Sequence, residues 1–161
     1  MTLVFAVLVA ISAFQTVTLQ ESAMEPTYSV SEKFFVNRAL YKVSSPKRGD
    51  VIVFKTSASD SAALHIRRVI GLPGETVQVK DGKIYINGKV YEENGAYQDM
   101  TDGGLANSAI TLESGEYFVL GDNRNNSEDS RFSDIGNISK KYIVGKVWFT
   151  VSPKNKIGFI K

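Results

Sequence analysis

Short apolar runs separated by turn residues dominate the chain after residue 20 and constrain its fold more than any other feature. Asp81-Gly82 and Asn87-Gly88 each stand between two β-rich segments. These dipeptides supply the positive φ angles that tight hairpin turns require. Further strands are predicted at residues 33–36, 51–54, 66–70, 117–120 and 144–151. The sequence therefore predicts a mainly β fold of many short antiparallel strands, with a hint of helix only near residue 140 and at the N-terminus.

The N-terminus is uncharged over its first 20 residues and almost wholly apolar at residues 2–14. A helix that crosses a bilayer needs about 20 apolar residues, because each adds about 1.5 Å across about 30 Å of hydrocarbon. Three interpretations of this shorter stretch compete: a short membrane anchor, the apolar core of a signal peptide, or a buried strand or helix. A cleaved signal peptide normally begins with basic residues, which are absent here, so we favour a short apolar helix that serves as an anchor.

Length and composition suit one compact β domain behind that segment. The chain has 161 residues, of which 43% are hydrophobic and 22% charged, so it can bury a core. We expect a membrane-proximal segment at residues 1–20 and a β domain at residues 21–161. Within the β domain, residues 76–115 are expected to form a hairpin-rich insertion, in which residues 92–108 are a long loop.

Several classes of function are disfavoured by what the sequence lacks. Cysteine is absent, which excludes disulfides, thiol catalysis and zinc–thiolate sites. Nineteen Lys and Arg against seventeen Asp and Glu leave a net charge of +2, so we expect no nucleic-acid partner. The sequence has no phosphate-binding loop, metal-ligand cluster or dinucleotide fingerprint. We therefore expect no cofactor and no metal.

A polar run at residues 121–131 directly follows an apolar strand and is the main candidate for a functional segment. It combines carboxylates, amides, hydroxyls and two arginines. A loop built only for solubility does not need so many hydrogen-bonding groups of fixed geometry. Asp129 and Arg131 can form a bidentate pair that locks the loop. A second segment, residues 23–27, indicates by itself only a proline turn with a packed methionine.

Four segments together, in this order, resemble the four sequence boxes of the type I signal peptidase family. They are residues 23–27, 48–54, 67–75 and 121–131, and the resemblance extends over nearly the whole chain to about Phe149. It implies an N-terminal membrane anchor and a β-rich catalytic fold on the extracytoplasmic face of the cytoplasmic membrane. It also implies a groove that takes an extended signal peptide as an added strand.

Members of this family cleave with a serine nucleophile and a lysine general base, and both positions are substituted here. The resemblance places Ala23 at the nucleophile and Arg67 at the base. Alanine has no group to attack with, and a guanidinium stays protonated and cannot accept a proton. Glu21 stands where the family has a glycine or an oxyanion-binding serine, and its carboxylate would repel the developing negative charge. Loss of either reacting group typically costs several orders of magnitude in rate.

The resemblance also implies that the frame of the site is retained. The matching residues are Ser127, beside the base; Asp122, Asp129 and Arg131, which brace the site; and Met24 and Pro26, in the turn beneath the nucleophile. We predict that Glu21 and Arg67 form an ion pair in the vacated site, because an unpaired buried charge costs several kcal/mol.

Two other side chains are candidate substitutes for the lost groups. Ser22 is adjacent to Ala23 but, in an extended segment, would point to the opposite face. His65 would share a strand face with Arg67 and is a candidate base, although a lone histidine on a strand more commonly has a structural role.

The sequence thus favours a membrane-tethered, catalytically inactive binding protein for extended segments of secreted or pilin precursors. Binding by backbone pairing needs no nucleophile. Relatives of signal peptidase that lack the dyad are found in pilus-assembly loci of Gram-positive bacteria, and this chain looks similar in kind. The alternative is an active type I signal peptidase with a rearranged site. An engineered loss of the serine is disfavoured, because Glu21 and Arg67 also depart from the family.

Overall fold

A computed structural model describes residues 14–59 and 61–160, which fold into two antiparallel sheets. The strands are β1 (Phe14–Thr18), β2 (Lys33–Asn37), β3 (Val51–Phe54), β4 (His65–Gly71), β5 (Thr76–Lys80), β6 (Lys83–Ile86), β7 (Lys89–Val90), β8 (Ile110–Thr111), β9 (Glu116–Leu120), β10 (Ile138–Ser139), β11 (Ile143–Ser152) and β12 (Gly158–Phe159). The helical elements are α1 (Leu40–Val43) and 3₁₀ turns at Ser22–Met24, Gly104–Asn107, Lys140–Tyr142 and Lys154–Lys156. The predicted mainly β fold with many short antiparallel strands is confirmed.

The large sheet has the strand order β1-β2-β11-β3-β4-β9-β10. Strand β12 pairs with Phe149 and Thr150, near the C-terminal end of β11. The three central strands β3, β4 and β9 are buried along almost their whole length. This burial explains why β3 and residues 117–120 of β9 are continuous apolar runs rather than alternating ones. Both arginines of β4, Arg67 and Arg68, lie in this buried part of the sheet, so each requires a partner.

The small sheet has the strand order β7-β6-β5-β8 and contains both predicted hairpins. Asp81 and Asn87 have φ angles of 51° and 50°, and the glycines that follow them also have positive φ. These are the backbone angles that the two dipeptides predicted. All four strands fall within residues 76–115, and the description of that region as an insertion stays a prediction.

The two sheets approach each other closely at the end of β4. A Cβ atom on Gly71 would lie 2.6 Å from Val77 Cγ2 and 2.7 Å from Leu112 Cδ1. Only a residue without a side chain fits here, because real Cβ contacts are not this short. Gly71 therefore lets the small sheet pack directly on the end of the central strand.

One local expectation is wrong, and two further features were not predicted. Residues 22–24 form a 3₁₀ turn rather than an extended segment. Helix α1 was not predicted. The loop at residues 92–108, although irregular except for one 3₁₀ turn, buries Met100 and Ala106 against the small sheet.

The predicted anchor lies outside the described residues except for Phe14, which begins β1 and pairs with Asn37 of β2. The predicted boundary at residue 20 stays a prediction, and β1 lies on its N-terminal side. No helix within residues 14–59 and 61–160 is long and apolar enough to cross a membrane.

Candidate functional site

The 3₁₀ turn at residues 22–24 is held against the polar loop that follows β9. The backbone N–H of Asn123 donates to the carbonyl of Ala23 at 2.9 Å, and the Asn123 side-chain amide donates to the carbonyl of Ser22 at 3.2 Å. Ala23 and Met24 are buried. The position of the turn is therefore set by hydrogen bonds from Asn123 to the carbonyls of the turn and does not depend on a reactive side chain at residue 23.

Gly121 allows the turn and the polar loop to come this close. A Cβ atom on Gly121 would lie 2.4 Å from the carbonyl oxygen of Ala23 and 2.2 Å from Oγ of Ser127. The Ser127 hydroxyl points into the same crowded space, where it is buried and finds no hydrogen-bond partner among the described residues. A buried hydroxyl without a partner costs free energy of folding. The stability of the fold therefore does not explain why residue 127 is a serine.

Arg67 lies at the centre of the site with its guanidinium buried. Its Nε donates to the carbonyl of Glu128 at 2.8 Å, and its Nη1 donates to the carbonyl of Ile66 at 2.8 Å. Its Nη2 donates to Oε2 of Glu21 at 2.5 Å. The predicted ion pair between Glu21 and Arg67 is confirmed, and the charge is compensated as burial requires.

Glu21 also bonds to the one histidine of the chain. Nδ1 of His65 donates to Oε1 of Glu21 at 2.8 Å, and the imidazole stacks on Phe54. Burial alone would raise the pKa of the Glu21 carboxyl, but the hydrogen bond from His65 and the charge of Arg67 lower that pKa to about 2. Glu21 is therefore an anion at neutral pH. It joins His65 and Arg67 of strand β4 to the turn at residues 22–24.

Two further arginine–carboxylate pairs brace the site. Arg68 holds Asp122 bidentately, with distances of 2.8 Å and 2.6 Å. Arg131 holds Asp129 through Nε and Nη2 at 2.8 Å and 2.9 Å. Asp129 also accepts the N–H of Gly121 at 3.1 Å. The predicted lock between Asp129 and Arg131 is confirmed, and planar pairs of this kind fix geometry as well as charge.

Sequence reasoning missed one brace entirely. Arg124 holds Glu93 bidentately at 2.5 Å and 2.6 Å, and the Tyr97 ring lies 4.2 Å from its guanidinium carbon. Both partners belong to the long loop at residues 92–108, which was expected to be only a loop. The sequence did show an acidic and an aromatic residue in a loop that has few apolar residues. Nothing in the sequence indicated that they contact Arg124.

An open groove of about 790 Å³ runs beside the turn. Its lining mixes polar and apolar groups and comes mainly from residues 20–23 and 125–128, together with Val30, Phe132 and Asp134. Ser22, Ala23 and Ser127 all line it. The groove is therefore built from two segments that lie about a hundred residues apart in the sequence.

No nucleophile–base pair is formed in this groove by the described residues. The hydroxyl of Ser22 accepts a hydrogen bond from Nδ2 of Asn126 at 3.2 Å, while Nδ1 of His65 is bound to Glu21. Ser22 and His65 share no hydrogen bond within residues 14–59 and 61–160. The same part of the chain has no group of three or more His, Asp or Glu that could hold a metal ion.

Comparison with known proteins supports the family resemblance that the sequence predicted. Residues 1–152 match the family described as "Signal peptidase, peptidase S26". The chain belongs to this family. Signal peptidase I of Bacillus licheniformis is 34% identical over 161 residues, which cover 96% of this chain and 85% of that protein. Signal peptidase I T of Bacillus subtilis is 35% identical over 166 residues, which cover 96% and 84%.

A solved structure of the same family shares the fold. The crystal structure of a signal peptidase I from Enterococcus faecalis matches with a TM-score of 0.52 and 32% sequence identity, covering 65% of this chain and 98% of that one. The identification of the chain as a relative of signal peptidase I is confirmed. The roles that the resemblance implies for individual residues stay predictions.

The structure brings most of the predicted site residues of this signal peptidase relative into one cluster. Glu21, Ala23 and Ser127 line the groove, and Arg67 reaches it through Glu21. Met24 instead packs in the core beneath the large sheet. Pro26 lies beside Asp122 on the wall of a smaller, neighbouring cavity.

The close approach at Gly121 gives a first prediction. The Gly121→Ala variant should lower the free energy of unfolding by about 1–3 kcal/mol, because its methyl group would collide with backbone. Gly158→Ala is the matched control, since a Cβ there has no heavy atom within 4 Å. The control should change the free energy by less than about 0.5 kcal/mol. Urea denaturation measures both, and equal stabilities of the two variants would contradict the packing described.

The lowered pKa of Glu21 gives a second prediction. A carboxyl whose folded pKa is about 2, below the usual 4.5, stabilises the fold above pH 4.5 and loses that effect as the pH falls towards 2. The difference in free energy of unfolding between the unaltered chain and Glu21→Gln should therefore shrink over this range. Glu92→Gln, at an exposed position, should show no such trend. Urea titrations at several pH values test this, and a pH-independent difference for Glu21→Gln would refute it.

Proposed function

We propose that this chain is a catalytically inactive member of the signal peptidase family that binds extended segments of secreted or pilin precursors. The observation that supports the proposal is the hydrogen bonding of the Arg67 guanidinium. Its three donor positions are committed to Glu21 and two backbone carbonyls. A guanidinium held in this way cannot act as a base.

The groove supports a binding role in the absence of catalysis. Its volume of about 790 Å³ and its lining from two polar segments suit a chain that pairs through its backbone. The arginine–carboxylate braces keep these segments in place whether or not a bond is cleaved. A precursor held here would remain intact and be available to another enzyme, as an accessory of secretion or pilus assembly requires.

The proposed location is the extracytoplasmic face of the cytoplasmic membrane. The apolar residues 2–14 are the proposed tether. Phe14 begins strand β1, and residues 20–23 line the groove shortly after that strand ends. A groove so close in sequence to a tether would meet precursors as they leave the membrane.

An active peptidase with a rearranged site is the second candidate, because Ser22 lines the groove and His65 lies on the strand beside it. The geometry weighs against it. His65 uses Nδ1 to bind Glu21, and the Ser22 hydroxyl is bound by Asn126. A working pair would need a new hydrogen bond between serine and histidine.

Binding and cleavage measured together test the proposal. The full chain in detergent is mixed with a labelled precursor segment that carries a signal peptide with small residues before its cleavage site. We expect anisotropy to show binding and mass spectrometry to show no cleavage, while an active signal peptidase I cleaves the same segment. Asn126→Trp should block the groove and weaken binding about tenfold or more, whereas Asn94→Trp, on an exposed loop, should not.

Two results would overturn the proposal. The absence of binding would remove the function assigned to the groove. Turnover that is lost in Ser22→Ala or His65→Ala would establish the second candidate, an active peptidase with an unfamiliar pair of reacting groups.

Restoring the lost groups gives a third prediction. The Ala23→Ser/Arg67→Lys variant should remain inactive, because Glu21 would hold the new lysine in its protonated form. Adding Glu21→Gly should free that lysine and raise cleavage at least about tenfold over the double variant. Cleavage of the same precursor segment measures this, and full activity of the double variant would contradict the role given to Glu21.

A further inference from the structure

A second groove, of about 890 Å³, lies elsewhere on the molecule and shares no lining residue with the first. Five cationic side chains line it, and no Asp or Glu among the described residues does. The cations are Arg38, Lys42, Lys55, Lys140 and Lys141. We refer to this site as the basic groove. A chain with a net charge of only +2 has therefore concentrated about a quarter of its nineteen Lys and Arg residues around one opening.

The basic groove is assembled from distant parts of the sequence on a defined backbone. The side chain of Asn37 accepts the N–H groups of Ala39 and Leu40 at 3.0 Å each, which fixes the start of α1. The Nζ of Lys140 donates to the carbonyl of Ser44 at 2.8 Å, which joins the 3₁₀ turn before β11 to the end of α1. The two cationic segments are thus held together by the fold.

Three of the cations are free to meet a ligand. Arg38, Lys42 and Lys141 are exposed, and none forms an ion pair with a described residue, although Nζ of Lys141 lies 4.9 Å from the centre of the Tyr142 ring. Elsewhere, buried arginines such as Arg67 and Arg124 are all paired with carboxylates. Like charges gathered at one opening raise the local positive potential and attract anions.

We propose that the basic groove binds the phosphate groups of anionic phospholipids. The place of the groove along the chain favours a lipid ligand. Gln15, which also lines it, comes directly after the apolar residues 2–14. If those residues enter the bilayer, the groove is held at its surface, and clusters of Lys and Arg next to a membrane segment attract anionic headgroups.

This inference rests on the membrane tether of the proposed function but not on the absence of catalysis or on precursor binding. Its role would be to fix the orientation of the β domain on the bilayer. The groove at residues 20–23 and 125–128 would then face a constant direction relative to an emerging precursor.

Hydrogen exchange of the full chain in lipid nanodiscs tests the inference. Nanodiscs of phosphatidylcholine alone are compared with nanodiscs that also contain phosphatidylglycerol. We expect amide exchange at residues 38–44 and 140–143 to slow by about threefold or more with phosphatidylglycerol, and to be unchanged at residues 125–128. Added salt should reverse the effect, because the charges are exposed.

Two variants of equal charge give the matched comparison. Arg38→Gln/Lys42→Gln/Lys141→Gln should abolish the protection. Lys80→Gln/Lys83→Gln/Lys89→Gln, at exposed positions of the small sheet, should keep it. Since all six side chains are exposed, neither variant is expected to unfold.

Four outcomes would overturn the inference. Two of them are equal exchange in both kinds of nanodisc and equal loss of protection in both variants. The other two are the same protection by inorganic phosphate in phosphatidylcholine nanodiscs, which would indicate a free-phosphate site, and protection by a DNA oligonucleotide, which would indicate a nucleic-acid site. Binding of the labelled precursor segment is measured in the same nanodiscs. Loss of that binding with the lipid effect intact would count against the proposed function alone.

Discussion

The buried guanidinium of Arg67 is the constraint on which the site depends. It lies in a central strand of the large sheet, where a positive charge without a partner would cost several kcal/mol. Glu21 supplies the compensating charge, and the loop carbonyl of Glu128 supplies a further acceptor. One side chain therefore ties together strand β4, the turn at residues 22–24 and the polar loop. Loss of the pair would disturb all three.

The polar loop shows how a site can keep its shape without its reaction. Pairs such as Arg131 with Asp129 hold it from within, and Arg124 ties it to Glu93 in the long loop. None of these contacts involves residue 23. Such a frame would serve a protein that binds extended chains as well as one that cleaves them, since backbone pairing requires fixed edges but no nucleophile. Among the described residues, the Ser127 hydroxyl is a buried polar group of the site that this frame leaves without a partner.

Sequence reasoning succeeded where one segment determines its own structure. The dipeptides at Asp81 and Asn87 require tight turns, and the apolar runs require buried strands, so the fold class followed. The pair of Glu21 and Arg67 followed from charge and the family resemblance. The 3₁₀ turn at residues 22–24 did not, because the hydrogen bonds that hold it in place come from Asn123, about a hundred residues away. The basic groove was hidden for the same reason: its cations are spread over residues 38–141 and meet only after folding.

A crystal structure of the chain with a precursor segment bound would test the central claim most directly. The account predicts an uncleaved, extended segment in the groove between residues 20–23 and 125–128, with the ion pair of Glu21 and Arg67 intact beside it. A segment cleaved in the groove, or a rotated His65 bonded to Ser22 at the scissile carbonyl, would contradict the account and identify a working peptidase.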